Sequence, residues 1–506
     1  LKISLYVFLF FFIHKLVKPR HVCRTNECDT YKTMKNFRYL QEKLVRSAQS
    51  KESDLNDIHG ILFWLEQKKK EINVQINQTP LEDLKDWDYS LESGFLSHKS
   101  GKFFSIEGIK VQSNYGLKPY WEQPIINQSE IGFLGILTKE INGVLHFLMQ
   151  AKIEPGNINL VQLSPTLQAT RSNYTRTHKG KTPLYFEYFN GEIKNEILID
   201  QLQSEQGARF LKKRNRNIII EIDKNVEVEL FDGYKWMTLG LINTLMNHDN
   251  LINMDTRTVI SSVFQYLHTI GKVQIPEQKT NQSDKEKTLR DINKEESLFS
   301  TSEIISWITA LKFHYELEIE SKPIADLDSW VYDGNTIYHN EHKYFSVIGI
   351  DVKIGNREVK SWDQPMIKPA QEGIIGFIIR KINGVYHFLV QAKVEAGNFD
   401  ILELAPTVQC LTGNYRTGVN EYSVPFINDL LEANPNQIWH KSYQSEEGGR
   451  FYREHNLNLI VEVNDSFDIK VPSNYNWLTL SQLSDFMRFN NYLNIGARSL
   501  ISLISV

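Results

Sequence analysis

Polar side chains alternate with apolar ones in a short stretch near residue 150. His146, Gln150, Lys152 and Glu154 occupy alternate positions, interrupted by Leu148. A period of two predicts a β-strand whose alternate side chains share one face. An imidazole, an ammonium and a carboxylate can exchange protons, and an amide can donate to a developing oxyanion. Because buried polar groups need partners, this face is predicted to meet solvent or a polar cavity.

A second strand with a polar face is predicted after the turn at residues 155–157. Along residues 160–170 the side chains of one face are all hydroxyls or amides, namely Gln162, Ser164, Thr166, Gln168 and Thr170. Two such strands joined by a short turn suggest the wall of a pocket. The alternative interpretation is a solvent-facing sheet.

The chain contains the same unit twice. NGVLHFLMQAKIEPGN at 142–157 returns as NGVYHFLVQAKVEAGN at 383–398, a shift of 241 positions from His146 to His387. The same shift relates further candidate ligand-binding residues, which are Trp121 and Trp362, Gln150 and Gln391, Lys152 and Lys393, Gln168 and Gln409, Asn173 and Asn414, Tyr174 and Tyr415, and Arg209 and Arg450. A period this long indicates tandem domains rather than a solenoid.

A cationic segment at residues 204–217 is a candidate site for a diphosphate. Arg209 recurs as Arg450, whereas Arg214 and Arg216 are replaced by His455 and Leu457. The planar guanidinium suits bidentate phosphate binding. We therefore expect Arg209 and Arg450 to bind phosphate and the other cations to lie on the surface.

The pattern predicts an α+β fold. Helices are expected at Ile58–Lys70, Thr238–Met246, Ser302–His314 and Leu480–Phe489, and strands at 143–154, 160–170, 218–222 and 226–230. Residues 34–272 and 297–506 form the two repeats, joined by a polar linker at 273–296. Residues 1–33 are interpreted as a non-native or disordered extension, with a short membrane anchor as the alternative.

Composition excludes several classes of protein. The net charge of −4 over 506 residues gives no reason to expect nucleic acid or an anionic membrane as partner. Three cysteines support neither a disulfide framework nor a zinc site, and they fit the cytoplasm. Dinucleotide, P-loop, H-E-x-x-H and G-x-S-x-G motifs are missing.

The repeated strings resemble those of the NDP-hexose 2,3-dehydratases. The resemblance rests on W-x-Q-P-I at 121–125, the 142–157 string, QLSPTLQAT at 162–170, SNYT at 172–175 and LQSEQGARF at 202–210, and it extends over residues 58–506. It implies two Nudix-like domains, a homodimer, no cofactor or metal, and a dTDP-4-keto-6-deoxyhexose substrate. The product would be passed to a ketoreductase. No R-E-x-x-E-E helix is present, so pyrophosphatase activity is not expected.

The implied reaction removes water across C2 and C3 of the sugar. The C4 ketone acidifies the C3 proton, so a base forms an enolate and an acid assists the departing C2 hydroxyl. His146 and Glu154 are candidate acid and base, and Lys152, Gln150 or Tyr174 could donate to the enolate oxygen. Binding is expected in both repeats, with catalysis in one; Arg171 and His178 favour the first. The alternatives are a non-catalytic nucleotide-sugar-binding protein, a Nudix hydrolase and a protein-interaction module.

Overall fold

The computed structural model describes residues 38–170, 182–267, 273–274, 288–289, 296–355, 360–411 and 424–504. Five predicted site residues lie outside these ranges, namely Arg171, Asn173, Tyr174, Asn414 and Tyr415, as do His178, the 1–33 extension and most of the linker. No helix within the described ranges is long and apolar enough to cross a bilayer.

The first repeat contains six helices and twelve strands within the described residues. The helices are α1 (38–49), α2 (Ile58–Glu71), α3 (Phe186–Phe189), α4 (Leu239–Leu245), α5 (Met254–Ser261) and α6 (Phe264–Leu267). The strands are β1 (Val74–Thr79), β2 (Trp87–Tyr89), β3 (Leu96–His98), β4 (Ser105–Ser113), β5 (Tyr120–Asn127), β6 (Gly132–Ile141), β7 (Val144–Ile153), β8 (Val161–Ser164), β9 (Leu167–Ala169), β10 (Glu196–Ser204), β11 (Arg214–Ile222) and β12 (Tyr234–Thr238).

Among the described residues, the second repeat has the same order of strands but no counterparts of α1 and α6, and it follows a short ribbon of β13 (Val273–Gln274) and β14 (Thr288–Leu289). Its helices are α7 (Thr301–His314), α8 (Ile427–Leu431), α9 (Leu480–Met487) and α10 (Ile495–Ser502). Its strands are β15 (Leu317–Lys322), β16 (Trp330–Tyr332), β17 (Thr336–His339), β18 (Phe345–Ile354), β19 (Ser361–Pro369), β20 (Gly373–Ile382), β21 (Val385–Lys393), β22 (Glu403–Ala405), β23 (Val408–Leu411), β24 (Ile438–Ser445), β25 (His455–Val463) and β26 (Tyr475–Thr479).

Each repeat builds a seven-stranded mixed sheet that divides into a fork. In the first, β6 and β7 pair only next to their Asn142-Gly143 turn, whose two positive φ angles match a type I′ hairpin. Farther on, β9 pairs with β6 while β8 pairs with β7. Thr166 stabilises the division, because its Oγ1 donates to Leu148 O at 2.5 Å and accepts from Leu137 N at 2.9 Å. The polar end of β7 therefore lies inside the fork.

The two repeats exchange strands in their smaller sheets. β1 of the first repeat pairs antiparallel with β18 of the second, and β15 of the second pairs antiparallel with β4 of the first. Aromatic and aliphatic side chains of both repeats share one core around Phe104, Trp330 and Phe345. The repeats are consecutive in sequence but interlocked in space.

Most predicted elements agree with the structure. The α+β class, the mixed sheets and all four predicted helices are confirmed, and Ser300 caps α7 through a capping box with Glu303. The strand predicted at 226–230 is wrong. Asp223 instead accepts from Asn225 N and Val226 N, which closes a turn, and the following residues enter no sheet.

Candidate active site

A cavity of about 390 Å³ lies in the fork of the first repeat and is lined by both repeats. The volume is within the range of small-molecule sites. The first repeat contributes Gln150 and Lys152 from β7, Glu154 directly after it, Gln168 from β9 and Asp255 from α5. The second repeat contributes Trp362, Gln364, Glu447 and Arg450. Neither repeat alone supplies this set of side chains.

The polar end of β7 carries an ion pair supported by two amides. Lys152 Nζ lies 3.2 Å from Glu154 Oε1. Gln168 Nε2 donates to the same Glu154 oxygen at 3.2 Å, and Asn253 Nδ2 donates to Gln168 Oε1 at 3.2 Å. The alternating pattern is confirmed here, because Ala151 and Ile153 pack in the core while Gln150, Lys152 and Glu154 reach the cavity. The carboxylate is therefore held by directed contacts.

Arg450 reaches the first repeat's cavity from the second repeat. Its guanidinium lies 4.1 Å from the centre of the Phe104 ring, and its Nε and Nη2 each donate to Gln128 Oε1 at 3.3 Å. Within the described residues Arg450 forms no ion pair with a carboxylate, so its guanidinium is available to bind an anionic ligand. Arg209, the counterpart of Arg450, packs in the same way on Phe345, the counterpart of Phe104, 4.3 Å from the ring centre.

The W-x-Q-P motif positions these arginine loops. Trp362 Nε1 donates to Gln364 Oε1 at 2.9 Å, and Gln364 Nε2 donates to Gly449 O, the carbonyl before Arg450, at 2.7 Å. The acidic residue between them, Asp363, accepts from Lys85 N of the first repeat at 2.7 Å. Each polar side chain of the motif thus fixes a loop of the site.

Two glycine turns explain why the arginines cross over. Gly156 N donates to Gly448 O at 2.7 Å, and Arg453 N donates to Gly156 O at 2.9 Å. The reciprocal pair is Gly397 N to Gly207 O at 2.6 Å. A Cβ on Gly156 would collide with the carbonyl oxygen of Phe451, so the turn requires glycine. The E-P-G-N string of one repeat therefore binds the S-E-x-G-x-R-F string of the other.

Burial raises the pKa of several carboxyl groups that line the cavity. Burial and the charge of Glu154 raise the pKa of Glu447 to about 7, against the opposing effect of Arg450. Burial likewise raises the pKa of Glu205, and it raises the pKa of Asp255 well above its ordinary value. Lys213 shifts the other way, because burial lowers its pKa to about 8. Such shifted groups are typical of sites that transfer protons.

The equivalent fork of the second repeat encloses only about 90 Å³. It contains Lys393 and Glu395, 3.0 Å apart, and it receives Arg209. Gln206 stands where the larger cavity has Glu447, and Gly496 where it has Asp255. The volume that the described residues enclose in this fork is far smaller than a sugar nucleotide needs. The two forks therefore differ in size and in acidic groups.

Four predicted site residues lie outside both cavities. His146 is buried at the hairpin end of β7, with Nδ1 2.9 Å from Val144 O, and it lies six residues before Lys152, about 20 Å along an extended strand. His387 accepts from Leu298 N at 2.9 Å through Nε2 and is buried. Trp121 packs against Ile109 and Ala396, and Gln391 donates to Tyr115 OH at 3.0 Å. We therefore correct the prediction that His146 is a catalytic acid or base, because its side chain is buried outside the cavity.

The sequence patterns missed several cavity residues. Phe104 recurs as Phe345 at the same shift of 241, so the repeat could have revealed it. Gln128, Asp255 and Glu447 have Pro369, Gly496 and Gln206 as counterparts, and recurrence gives no signal for them. Within the described ranges no cluster of three His, Cys, Asp or Glu side chains could hold a metal ion.

Comparison with known proteins defines the class. The family model for NDP-hexose 2,3-dehydratase matches residues 59–263 and again residues 301–504. The chain belongs to this family.

Three similar relatives each bear the name dTDP-4-dehydro-6-deoxy-alpha-D-glucopyranose 2,3-dehydratase. The protein of Saccharopolyspora spinosa is 43% identical, with 87% of this chain and 89% of its own covered. That of Amycolatopsis orientalis is 38% identical, with 92% and 93% covered, and that of Streptomyces violaceoruber 39% identical, with 89% and 97% covered.

Proposed function

We propose that this chain is a hydro-lyase that removes water across C2 and C3 of a dTDP-4-keto-6-deoxyhexose. One observation carries the proposal: a cavity of about 390 Å³ combines the Lys152–Glu154 pair of one repeat with Arg450 of the other. The names of the three relatives support the nucleotide and the sugar. The product is a 3,4-diketo-2,6-dideoxy sugar nucleotide.

Glu154 and Lys152 carry the first chemical step in this proposal. The Glu154 carboxylate takes the C3 proton, and the electron pair moves to the C4 oxygen to form an enolate. The Lys152 ammonium, 3.2 Å from Glu154 Oε1, stabilises the enolate oxygen. The C2 hydroxyl then leaves as water, and the resulting enol takes a proton at C2 and loses one from the C3 oxygen.

Arg450 is the proposed ligand of the diphosphate. Its guanidinium stacks on Phe104, 4.1 Å from the ring centre, which restricts its rotation, and an arginine held in this way loses little entropy on binding a phosphate. Trp87, His98 and Trp362 give the same cavity aromatic walls on which a base can stack. Gln150 and Gln168 lie between these regions and suit the sugar hydroxyls. Arg171 and Asn173 stay predicted ligands, and Tyr174 stays a predicted catalytic donor to the enolate oxygen.

The finer features implied by the family resemblance belong to the same proposal. They are Nudix-like domains, a homodimer, a cytoplasmic location consistent with three cysteines in 506 residues, and transfer of the unstable diketo product to a ketoreductase. The prediction that Asn414, Tyr415, Lys393 and Arg209 bind nucleotide sugar in the second repeat is not carried into this proposal, because the described fork there encloses only about 90 Å³.

Proton NMR of the sugar tests the activity directly. Chelator-treated protein is mixed with dTDP-4-keto-6-deoxyglucose in D₂O, with no added cofactor. We expect the signal of the hydroxyl-bearing C2 position to disappear while deuterium enters C2. Binding without any change of the sugar over hours would contradict the proposal and favour a nucleotide-sugar-binding protein.

A further inference from the structure

The proposed elimination needs an acid at the C2 hydroxyl, and the structure offers one that the sequence pattern did not indicate. Asp255 lies at the start of α5, lines the cavity and is only 2% exposed. Its side chain makes no hydrogen bond or ion pair to any described residue. A buried carboxyl group that faces a cavity and has no partner among the described residues is open to a ligand.

The surroundings of Asp255 favour its neutral form. Burial raises its pKa first, and the charges of Glu447, Glu205 and Glu154 raise it further, while Lys152 opposes them. The start of α5 has the opposite effect, because a helix N-terminus favours the charged form. This influence is weak beside burial among three carboxyl groups. A neutral carboxyl group can donate a proton, which an ionised one cannot.

An amide two residues before Asp255 begins a chain of hydrogen bonds that ends at the proposed base. Asn253, two residues earlier, donates to Gln168, and Gln168 donates to Glu154. Asn494 donates to Gln409 in the same way in the second repeat, at 2.7 Å, but Gly496 follows it where Asp255 would be. The amide frame is thus present twice and the acid once.

We propose that Asp255 is the general acid that protonates the C2 hydroxyl as it leaves, and that its presence restricts elimination to the first repeat's fork. This inference rests on the proposed function. In the step, the C2–O bond breaks with its electron pair on oxygen, the Asp255 proton joins that oxygen to form water, and the enolate electrons form the C2–C3 double bond. Asp255 is left as a carboxylate and regains a proton when the enol is converted to the ketone.

A substrate whose leaving group needs no proton distinguishes a general acid at residue 255 from a residue with another role. In the 2-deoxy-2-fluoro analogue of dTDP-4-keto-6-deoxyglucose, fluoride leaves C2 without a proton. We expect Asp255→Asn to lower kcat on the hydroxyl substrate by about 10²-fold or more, and by less than about 10-fold on the fluoro analogue. Fluoride release and proton NMR give the two rates.

Two control variants complete the test. Glu154→Gln should slow the reaction of both substrates alike, because removal of the C3 proton precedes the departure of either the hydroxyl group or fluoride. Glu403→Gln removes a buried carboxyl group outside both cavities and should leave both rates unchanged. Equal loss on both substrates by Asp255→Asn, or no loss on either, would overturn the assignment. If the wild-type protein converts neither substrate, the proposed function itself fails.

Discussion

Lys152 and Glu154 are paired in the same way as Lys393 and Glu395, at 3.2 and 3.0 Å, but their surroundings differ. The first pair meets a cavity of about 390 Å³ that is also lined by Asp255 and Glu447, and the second meets one of about 90 Å³ that is lined by Glu446 and Glu454. In the smaller fork Gln391 is engaged by Tyr115, whereas Gln150 has no side-chain hydrogen bond to a described residue. The two Lys–Glu pairs are therefore identical in residue type but lie in different surroundings.

Arg450→Lys should weaken binding of the nucleotide sugar. A lysine cannot reproduce the planar fork or the stacking on Phe104, and losing one hydrogen bond to a charged group costs about 1.5–3 kcal/mol. We expect KM to rise about 10- to 100-fold with kcat changed little. Steady-state kinetics measure both, and Arg209→Lys is the matched control in the smaller fork. An equal effect of the two substitutions would contradict the asymmetry.

Alternation along β7 predicted which side chains share a face but not how far the cavity extends. A ten-residue strand spans about 33 Å, longer than the site, so His146 and Leu148 of the same face are buried in the protein instead. Asp255 and Glu447 come from distant segments, and a one-dimensional pattern carries no information about such contacts.

At the scale of elements, the site is held together by the turn at residues 155–157 and by the loop at residues 446–453, which carries Arg450. Their backbone groups bond directly, Gly156 N to Gly448 O at 2.7 Å and Gly397 N to Gly207 O at 2.6 Å. The strands and helices that carry them were predictable from periodicity. Their exchange between repeats was not, because swapped and unswapped arrangements leave the same recurring motifs in the sequence.

Gly156→Ala should destabilise the protein. Its Cβ would collide with the carbonyl oxygen of Phe451, and backbone on both sides leaves little room to relax. Overpacking of this kind costs about 1–3 kcal/mol of unfolding free energy, to be measured by urea denaturation. Gly355→Ala is the control, because its Cβ would have Asn73 O as nearest neighbour at 3.9 Å. Equal stability of the two variants would argue against the interlocked turns.

At the scale of the molecule, buried carboxyl groups connect stability to pH. Burial raises the pKa of Glu403 to about 7 and that of Glu446 to about 8, although Ser204 and Arg498 act in the opposite direction on Glu403. Glutamate in the unfolded chain titrates near pH 4.3. The folded state therefore binds more protons between these limits, and this stabilisation is lost as the pH rises through 7 and 8.

We expect the free energy of unfolding to fall from pH 6 to pH 8.5. Each extra bound proton contributes a slope of at most about 1.4 kcal/mol per pH unit. Glu403→Gln keeps an acceptor for the Ser204 hydroxyl, which now donates at 2.7 Å, but cannot ionise, so its profile should be flatter. Urea denaturation at the two pH values compares the proteins. Parallel profiles would show that Glu403 is not protonated near neutrality.

The family model matches the chain twice, over residues 59–263 and 301–504, and each fork is completed by the other repeat. The duplication was evident in the sequence, since a shift of 241 relates residues 104–257 to residues 345–498. The specialisation of one fork was not, because it depends on cavity size and on single replacements such as Gly496 for Asp255.

The most direct test of one composite active site is to compare Glu154→Gln with Glu395→Gln. Turnover of dTDP-4-keto-6-deoxyglucose is followed by proton NMR under identical conditions. Removing the base should lower kcat about 10²- to 10⁴-fold for Glu154→Gln, whereas Glu395→Gln should stay within about 10-fold of wild type because its fork has no room for the sugar. Equal losses, or the larger loss from Glu395→Gln, would contradict the account.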